Sequence, residues 1–361
     1  MASLVKRALS DGSTAYLVRF RTVDGRQRSA QFDRKRDADA FAAKIETDRR
    51  TGQFVDPRLG KITFGEWVDE WWPTVTHLRA STSERDALYM RRHVIPTFGP
   101  VPLASIDRTS IRRWIATLTQ DPEKQLAPAT VHKICQVFNK ALKAAQEDKL
   151  IAVNPAERIT LPKIEREEMR CLNAEEVMRL SATIDQRYRA FVLLGAFGGL
   201  RLGELLALRV SAVDMVNQRV RITETLVDLN GHLSFGPPKT RASVRNVSLP
   251  RFVLDSLDLS GKASQELVIQ SPDGGPVRVS TWRRRFWAPA VARAAVAPLR
   301  IHDLRHTAVS LWIAAGGNPK QIAARAGHTS VAVVFDRYGH LYEEQDAPLV
   351  AALEAMGGAR R

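Results

Sequence analysis

The sequence predicts a mainly α-helical protein with small β-sheets, built from a β-β-α unit, a four-helix domain and a larger α-rich domain. Three observations predict this. Alternating apolar and polar residues occur only in short runs near the amino end and in the later part of the chain, while helical periodicity fills most of the rest. At 361 residues and 44% hydrophobic, the chain is too long for one ordinary domain and apolar enough for several cores. Finally, NPAERITLPKIEREEMR, from Asn154, breaks the periodicity with two prolines and crowded charges, as a linker does. The expected boundaries are 1–60, 62–157, a linker at 158–171, and 172–361.

In the first unit AYLVRFRT alternates as a strand, VDG is a turn and RQRSAQF is a second strand. Asp33 is the expected cap of the helix RKRDADAFAAKIETDRR, where Phe41 and Ile45 share a face, and Thr51-Gly52 ends it. Arg19, Arg21, Arg26 and Arg28 cluster on the hairpin, and a strand ribbon carrying Arg can enter a DNA groove. The alternative is a solvated face.

The second domain reads as four helices. FGEWVDEWWPTV spaces Phe64, Trp67 and Trp71 as a buried face, so the tryptophans belong to the core. STSERDALYMRRHVIPTFG follows, with Ser81 or Thr82 as cap and Pro96 as stop. DRTSIRRWIATL and PATVHKICQVFNKALKAAQED complete the set, the last with Pro128 near its start. Arg91, Arg92, Arg112, Arg113, Lys133 and Lys140 form a polar face suited to DNA phosphates.

The third domain opens with NAEEVMRLSATI, where Asn173 caps and Glu176 stands three residues on. An apolar helix surrounds Phe191. RVRITETL, HLSFG and SVRNVSLP are strand candidates around the turn NGH, and from Trp282 onward the pattern is helical.

Composition narrows the function. The net charge is +15, with 41 Arg and 13 Lys, which favours an anionic polymer as partner. Two cysteines, Cys135 and Cys171, neither frame a disulfide scaffold nor stand at metal-ligand spacing, so a reducing cytoplasm is expected. The amino end lacks an apolar signal core, and the longest apolar run, FVLLGAFGGL, is too short to span a bilayer.

Five stretches of the third domain concentrate Arg, His, Lys and Tyr: GLRLGEL, PPKTRASVR, IHDLRH, AGH and FDRYGH. Singly each is ordinary. Together their order resembles the tyrosine recombinase (phage integrase) family, whose signature is Arg, Lys, His-x-x-Arg, His or Trp, then Tyr. Arg201, Lys239, His302, Arg305, His328 and Tyr338 fill those positions in order. The Arg and Ala richness points within the family to integrases of actinobacterial phages or integrative elements. The four-helix region resembles the family's core-binding domain, and the β-β-α unit its arm-binding domain.

The residue types fit phosphodiester chemistry. Two guanidinium forks, Arg201 and Arg305, match the equatorial oxygens of a pentacoordinate phosphorus. Tyr338 is a phenol nucleophile that needs help losing its proton at neutral pH. The resemblance implies His302 as its base or hydrogen-bond partner, His328 as a donor to a nonbridging oxygen, and Lys239 as the acid for the leaving 5′ oxygen. Glu204 is expected to orient Arg201 or a histidine, which for Arg201 amounts to a salt bridge. Tyr342, four residues on, is the rival nucleophile, disfavoured by the spacing from His328. The resemblance further implies a 3′-phosphotyrosyl intermediate without metal, ATP or cofactor. Double-stranded attachment-site DNA is the expected partner, held by a homotetramer, with a host DNA-bending factor and a directionality factor as accessories. The two larger domains are expected to close around DNA. The apolar stripe Leu349, Val350, Leu353 and Met356 suits docking on a neighbouring copy or on its own domain. Two other readings stand beside it: a chromosome-dimer resolvase or topoisomerase-like enzyme using the same tyrosine, and a noncatalytic DNA-binding regulator, which has no need of the six-residue set.

Overall fold

Alternation fixes the register of the amino-terminal sheet. The computed structural model describes residues 3–8, 14–21, 27–50, 59–120, 125–165, 169–229, 231–343 and 346–358. Here β1 (Ser3–Ala8), β2 (Thr14–Arg21) and β3 (Gln27–Phe32) form an antiparallel sheet in the order β1-β2-β3. The sequence predicts two strands; β1 adds an edge strand that SLVKRA does not announce, because almost every residue in it is exposed and no alternation develops. Phe20 and Phe32 pack on Phe41 of α1 (Lys35–Arg50), with ring centroids 5.8 and 5.0 Å apart. The helix starts at Lys35, so Asp33 lies one residue too early to be its flanking cap. The turn VDG and the Thr51-Gly52 helix end fall outside the described residues.

The next helices are set by capping and aromatic packing. Thr63 starts α2 (Phe64–Trp71): its hydroxyl accepts the Glu66 N–H and the Glu66 carboxylate accepts the Thr63 N–H. α3 (Ala80–Tyr89) is preceded by Arg79, so neither Ser81 nor Thr82 caps it. It passes through a π turn, Met90–Val94, into α4 (Ile95–Phe98). Pro96 therefore does not stop the helix. The widened turn accommodates its ring and missing N–H, and the segment runs on to Phe98. With α5 (Arg108–Gln120) and α6 (Pro128–Glu147), these helices enclose Phe138, whose ring meets Phe64, Phe98 and Trp114 at 5.2, 4.7 and 5.4 Å. Trp67 is buried and donates its indole N–H to Ala141 O at 3.1 Å. The tryptophans are core or flank it, as the spacing predicts.

Residues 1–166 and 167–361 make two compact units, and their boundary falls within 158–171. In the first unit the sheet and α1 have one apolar cluster and the helices from α2 to α6 another.

The second unit begins with α7 (Ala174–Thr183), capped by Asn173 and Glu176 as expected. α8 (Arg189–Gly198) is buried on nearly every side and is followed by α9 (Leu202–Ala207). RVRITETL is not one strand. It divides after Ile222 between two sheets: β4 (Val213–Asp214), β5 (Arg219–Ile222) and β8 (Arg245–Ser248) in one, β6 (Thr225–Leu229) and β7 (His232–Gly236) in the other. The short helices α10 (Arg251–Leu254), α11 (Val279–Trp282) and α12 (Ala288–Arg293) follow. Then come α13 (Asp303–Ala314), α14 (Pro319–Ala326), α15 (Ala332–Tyr338), α16 (His340–Glu343) and α17 (Asp346–Gly358). α8 and α13 pack closely because Gly195 faces Leu304; a Cβ there would lie 2.9 Å from Leu304 Cδ1. No helix among the described residues is long and apolar enough to cross a membrane.

Candidate active site

Three arginines distant in sequence meet at the carboxyl end of α14. Arg245 Nε donates to Arg325 O at 2.6 Å, Arg305 Nη2 donates to Ala326 O, and Arg201 Nη2 donates to Gly327 O at 2.8 Å. The end of a helix leaves carbonyls unpaired and partly negative, so it gathers cations. Asn318 starts α14 with a capping box and Gly327 closes it in the left-handed region, φ 63°, which turns the last carbonyls toward the arginines.

One carboxylate lies among these cations. Glu204 is buried; its Oε1 accepts Arg201 Nη1 at 2.8 Å and Arg245 Nη1 at 3.1 Å, and its Oε2 accepts Arg245 Nη2 at 3.0 Å. Burial works to raise its pKa, but the Arg245 and Arg201 bonds and charges prevail and hold it below the ordinary glutamate value. Glu204 thus braces Arg201, as the sequence suggests, and also Arg245, which the motif order does not single out. The alternation of β8 carries the available signal: Arg245 shares an inward face with buried Val247, and a buried arginine requires an anion.

Arg305 is buried on α13 and donates Nη1 to Gly199 O at 2.5 Å. Burial and the charges of Arg201 and Arg245 push it down to about 9, so it remains cationic at neutral pH. Gly199 is itself left-handed, φ 63°, and a Cβ there would lie 2.5 Å from the Trp312 ring. Gly199→Ala is expected to destabilise the protein by about 2 kcal/mol or more, from backbone strain plus overpacking. Gly231→Ala, at φ 84° with open space around it, should cost only the strain. Urea titration of the two variants checks the difference.

His302 immediately precedes α13 and is exposed; desolvation by the surrounding protein lowers its pKa first and the Arg305 charge next. His328 follows Gly327. Its Nδ1 is buried without a hydrogen-bond partner among the described residues, and burial together with Arg305, Arg201, Arg337 and Arg245 pushes it down to about 4. Tyr338 ends α15 and is buried, which raises its phenol to about 12. Its hydroxyl lies 2.5 Å from His306 Nδ1, not against His302 as the resemblance implies. The motif order leaves His306 out, although it stands four residues after His302 and so on the same helix face. Tyr342 turns elsewhere, donating to Gly317 O at 3.4 Å. Lys239 is exposed in the loop after β7, leading to Ser243, whose Oγ accepts Arg201 Nη1 at 3.1 Å.

The residues expected to meet DNA lie outside this cluster. Arg19 and Arg21 share the exposed face of β2. Arg28 pairs with Phe20 and so projects on the opposite, helix-covered face, where its Nε is buried; the hairpin arginines are not one patch. Arg26 lies outside the described residues. Arg91, Arg92, Arg112, Arg113, Lys133 and Lys140 are exposed, and Lys140 Nζ pairs with buried Asp86 at 3.2 Å. In the tail Val350, Leu353 and Met356 are exposed.

A helical domain followed by an α-rich unit that gathers arginines and histidines beside a buried tyrosine defines a tyrosine recombinase. The phage integrase family matches residues 170–345, and the phage integrase N-terminal SAM-like domain matches residues 63–119. The chain belongs to the phage integrase family. It is 27% identical over 343 residues to a prophage phiRv2 integrase of Mycobacterium tuberculosis, covering 90% of this chain and 88% of that protein. It is 25% identical over 341 residues to the integrase of Mycobacterium phage L5, covering 90% of each. Among solved structures it is similar to the Tn1549 transposon integrase in complex with transposon right end DNA, with TM-score 0.66 and 18% identity over 76% of this chain and 94% of that one. It is also similar to a lambda integrase tetramer bound to a Holliday junction, with TM-score 0.55 and 18% identity over 90% and 92%.

Proposed function

We propose that this chain is a site-specific DNA recombinase that integrates a phage or other mobile element by cutting and rejoining strands through Tyr338. The observation that carries the reading is the excess of cation at one place: Arg201, Arg245 and Arg305 converge on a helix end with Glu204 as the carboxylate braced among them. Arg201 and Arg305 keep N–H donors beyond those bonded to the protein, and an anionic phosphodiester supplies the missing charge. Their forks then bind the nonbridging oxygens and stabilise the charge that builds on them. His328 adds a further donor, and His302 stands at the start of α13, the helix that carries Arg305. Tyr338 attacks phosphorus, and Lys239 protonates the leaving 5′ oxygen. The phosphotyrosyl bond conserves the energy of the cut strand, so a 5′-hydroxyl from another duplex reseals it without ATP, metal or cofactor.

The similarity to integrases solved on DNA supports double-stranded attachment sites as substrate and a tetramer as the working assembly. The enzyme acts in the host cytoplasm with a DNA-bending factor and a directionality factor. Residues 1–60 form the arm-binding domain, 62–157 the core-binding domain and 172–361 the catalytic domain with its tail, joined to the core-binding domain by the linker at 158–171. The exposed basic residues of the first two domains contact phosphate. The apolar stripe of α17 docks on a neighbouring copy.

The test is a nicked suicide substrate carrying the attachment site. A detergent-stable protein–DNA adduct whose nucleotide-bearing peptide contains Tyr338 supports the proposal; an adduct on any other residue overturns it. Removal of residues 1–60 is expected to abolish binding at distal arm sites while core-site cleavage survives; loss of core cleavage in a folded truncation refutes that division of labour.

A further inference from the structure

The hydroxyl that must lose a proton already has a partner. Tyr338 Oη and His306 Nδ1 are 2.5 Å apart, both side chains are buried, and the two rings lie 5.8 Å apart at 48°. The His302 ring stands edge-on to His306 at 5.0 Å, on the side of the helix start. The groups whose charges reach His306 are His302, Asp303, Arg337 and Arg300.

We propose that His306 is the catalytic residue that receives the Tyr338 proton as the phosphotyrosyl bond forms, the part the family resemblance assigns to His302. This rests on the reading of Tyr338 as nucleophile. In the attack the Tyr338 O–H bond breaks and its proton passes to His306 Nδ1. The phenolic oxygen's electron pair forms the bond to phosphorus, the P–O5′ bond breaks, and the leaving oxygen takes a proton from Lys239. The products are a 3′-phosphotyrosine, a 5′-hydroxyl, an imidazolium at His306 and a neutral Lys239. Resealing returns every proton: the incoming 5′-hydroxyl gives its own to Lys239, and the departing phenolate recovers one from His306.

Without DNA the proton stays on the phenol, because burial pushes Tyr338 up to about 12 and His306 down to about 4. The nucleophile is therefore stored neutral and covered. An incoming phosphodiester brings negative charge that favours the imidazolium, as Asp303 already does. Acceptance by Nδ1 also requires that Nε2 carry the ring hydrogen in the resting protein.

The experiment uses the full chain on a nicked attachment-site substrate, in ordinary form and with a 5′-bridging phosphorothiolate, whose sulfur leaves without protonation. His306→Asn keeps an oxygen able to accept the hydroxyl but unable to hold its proton. It is expected to bind DNA normally and form adduct about 10²–10⁴-fold more slowly. The phosphorothiolate should not restore it, whereas it should restore Lys239→Ala. His306→Gln is the second variant should Asn impair folding. The wild-type protein gives an independent reading. In ¹⁵N-histidine spectra His306 Nδ1 should be the unprotonated, accepting nitrogen, with a shift that changes in Tyr338→Phe. Adduct formation by His306→Asn within threefold of wild type overturns the proposal. So does its rescue by sulfur, a resting Nδ1–H, or a sulfur-insensitive loss confined to His302→Asn. An adduct persisting in Tyr338→Phe sinks the nucleophile reading instead; an inert Tyr338→Phe beside an active His306→Asn sinks only the role of His306.

Discussion

Tyr338→Phe is expected to bind attachment-site DNA as tightly as the wild type and to form no covalent adduct. The loss should be on the order of 10⁶-fold or below detection, as when an enzyme loses its nucleophile. The change removes one oxygen from a side chain buried at the end of α15 and leaves the Arg201 and Arg305 anchors intact. Binding through those guanidinium groups therefore survives while bond formation to phosphorus does not. A second consequence is structural. His306 Nδ1 loses its partner inside the protein, so the variant should be about 1–3 kcal/mol less stable. Gel shift, a suicide-substrate time course and urea denaturation separate the three effects. A persistent adduct would place the nucleophile elsewhere, and Tyr342, bonded to Gly317, would be the first alternative to map.

Glu204→Gln is the second large effect, and here stability and activity fall together. The carboxylate braces Arg201 and Arg245 at once and also accepts the Arg201 backbone N–H at 2.9 Å. An amide presents N–H where one of these donors now finds oxygen, and it leaves the cations uncompensated. Breaking a buried pair of this kind costs about 3–5 kcal/mol, which for a unit of this size is a fall in Tm on the order of 10 °C. The sign of the pH dependence follows from the lowered pKa of Glu204. Its contribution is fully present above the ordinary glutamate range and is lost as pH falls through the lower folded-state value. The gap between wild type and Glu204→Gln, measured by urea titration, should therefore narrow on acidification. A gap that widened in acid would show that the carboxylate is not the stabilising form.

Much of the site and many of the elements are legible in the amino-acid order itself. The capping box at Asn173 and Glu176, the aromatic spacing around Trp67, and the order of Arg201, Lys239, His302, Arg305, His328 and Tyr338 are local properties, written within a few residues of one another or in simple succession. The departures have local causes too. Pro96 stays in a helical segment because a π turn makes room for it, and RVRITETL divides because β5 and β6 find partners in different sheets. Arg28 leaves the hairpin cluster because antiparallel pairing puts it opposite Phe20.

Composition, periodicity and motif order by themselves determined the helical class, the apolar cores, the basic character and the set of groups available for phosphate chemistry. These depend on side-chain type and short-range spacing, which the chain carries whatever its surroundings. Only the tertiary structure decided which groups touch. It brought Arg201, Arg245 and Arg305 to consecutive carbonyls at the end of α14, and it joined Tyr338 to His306 across 32 residues of chain. The reason is that hydrogen bonds and Coulomb attraction act over a few ångströms of space, and separation along the chain says little about that distance until the helices have packed.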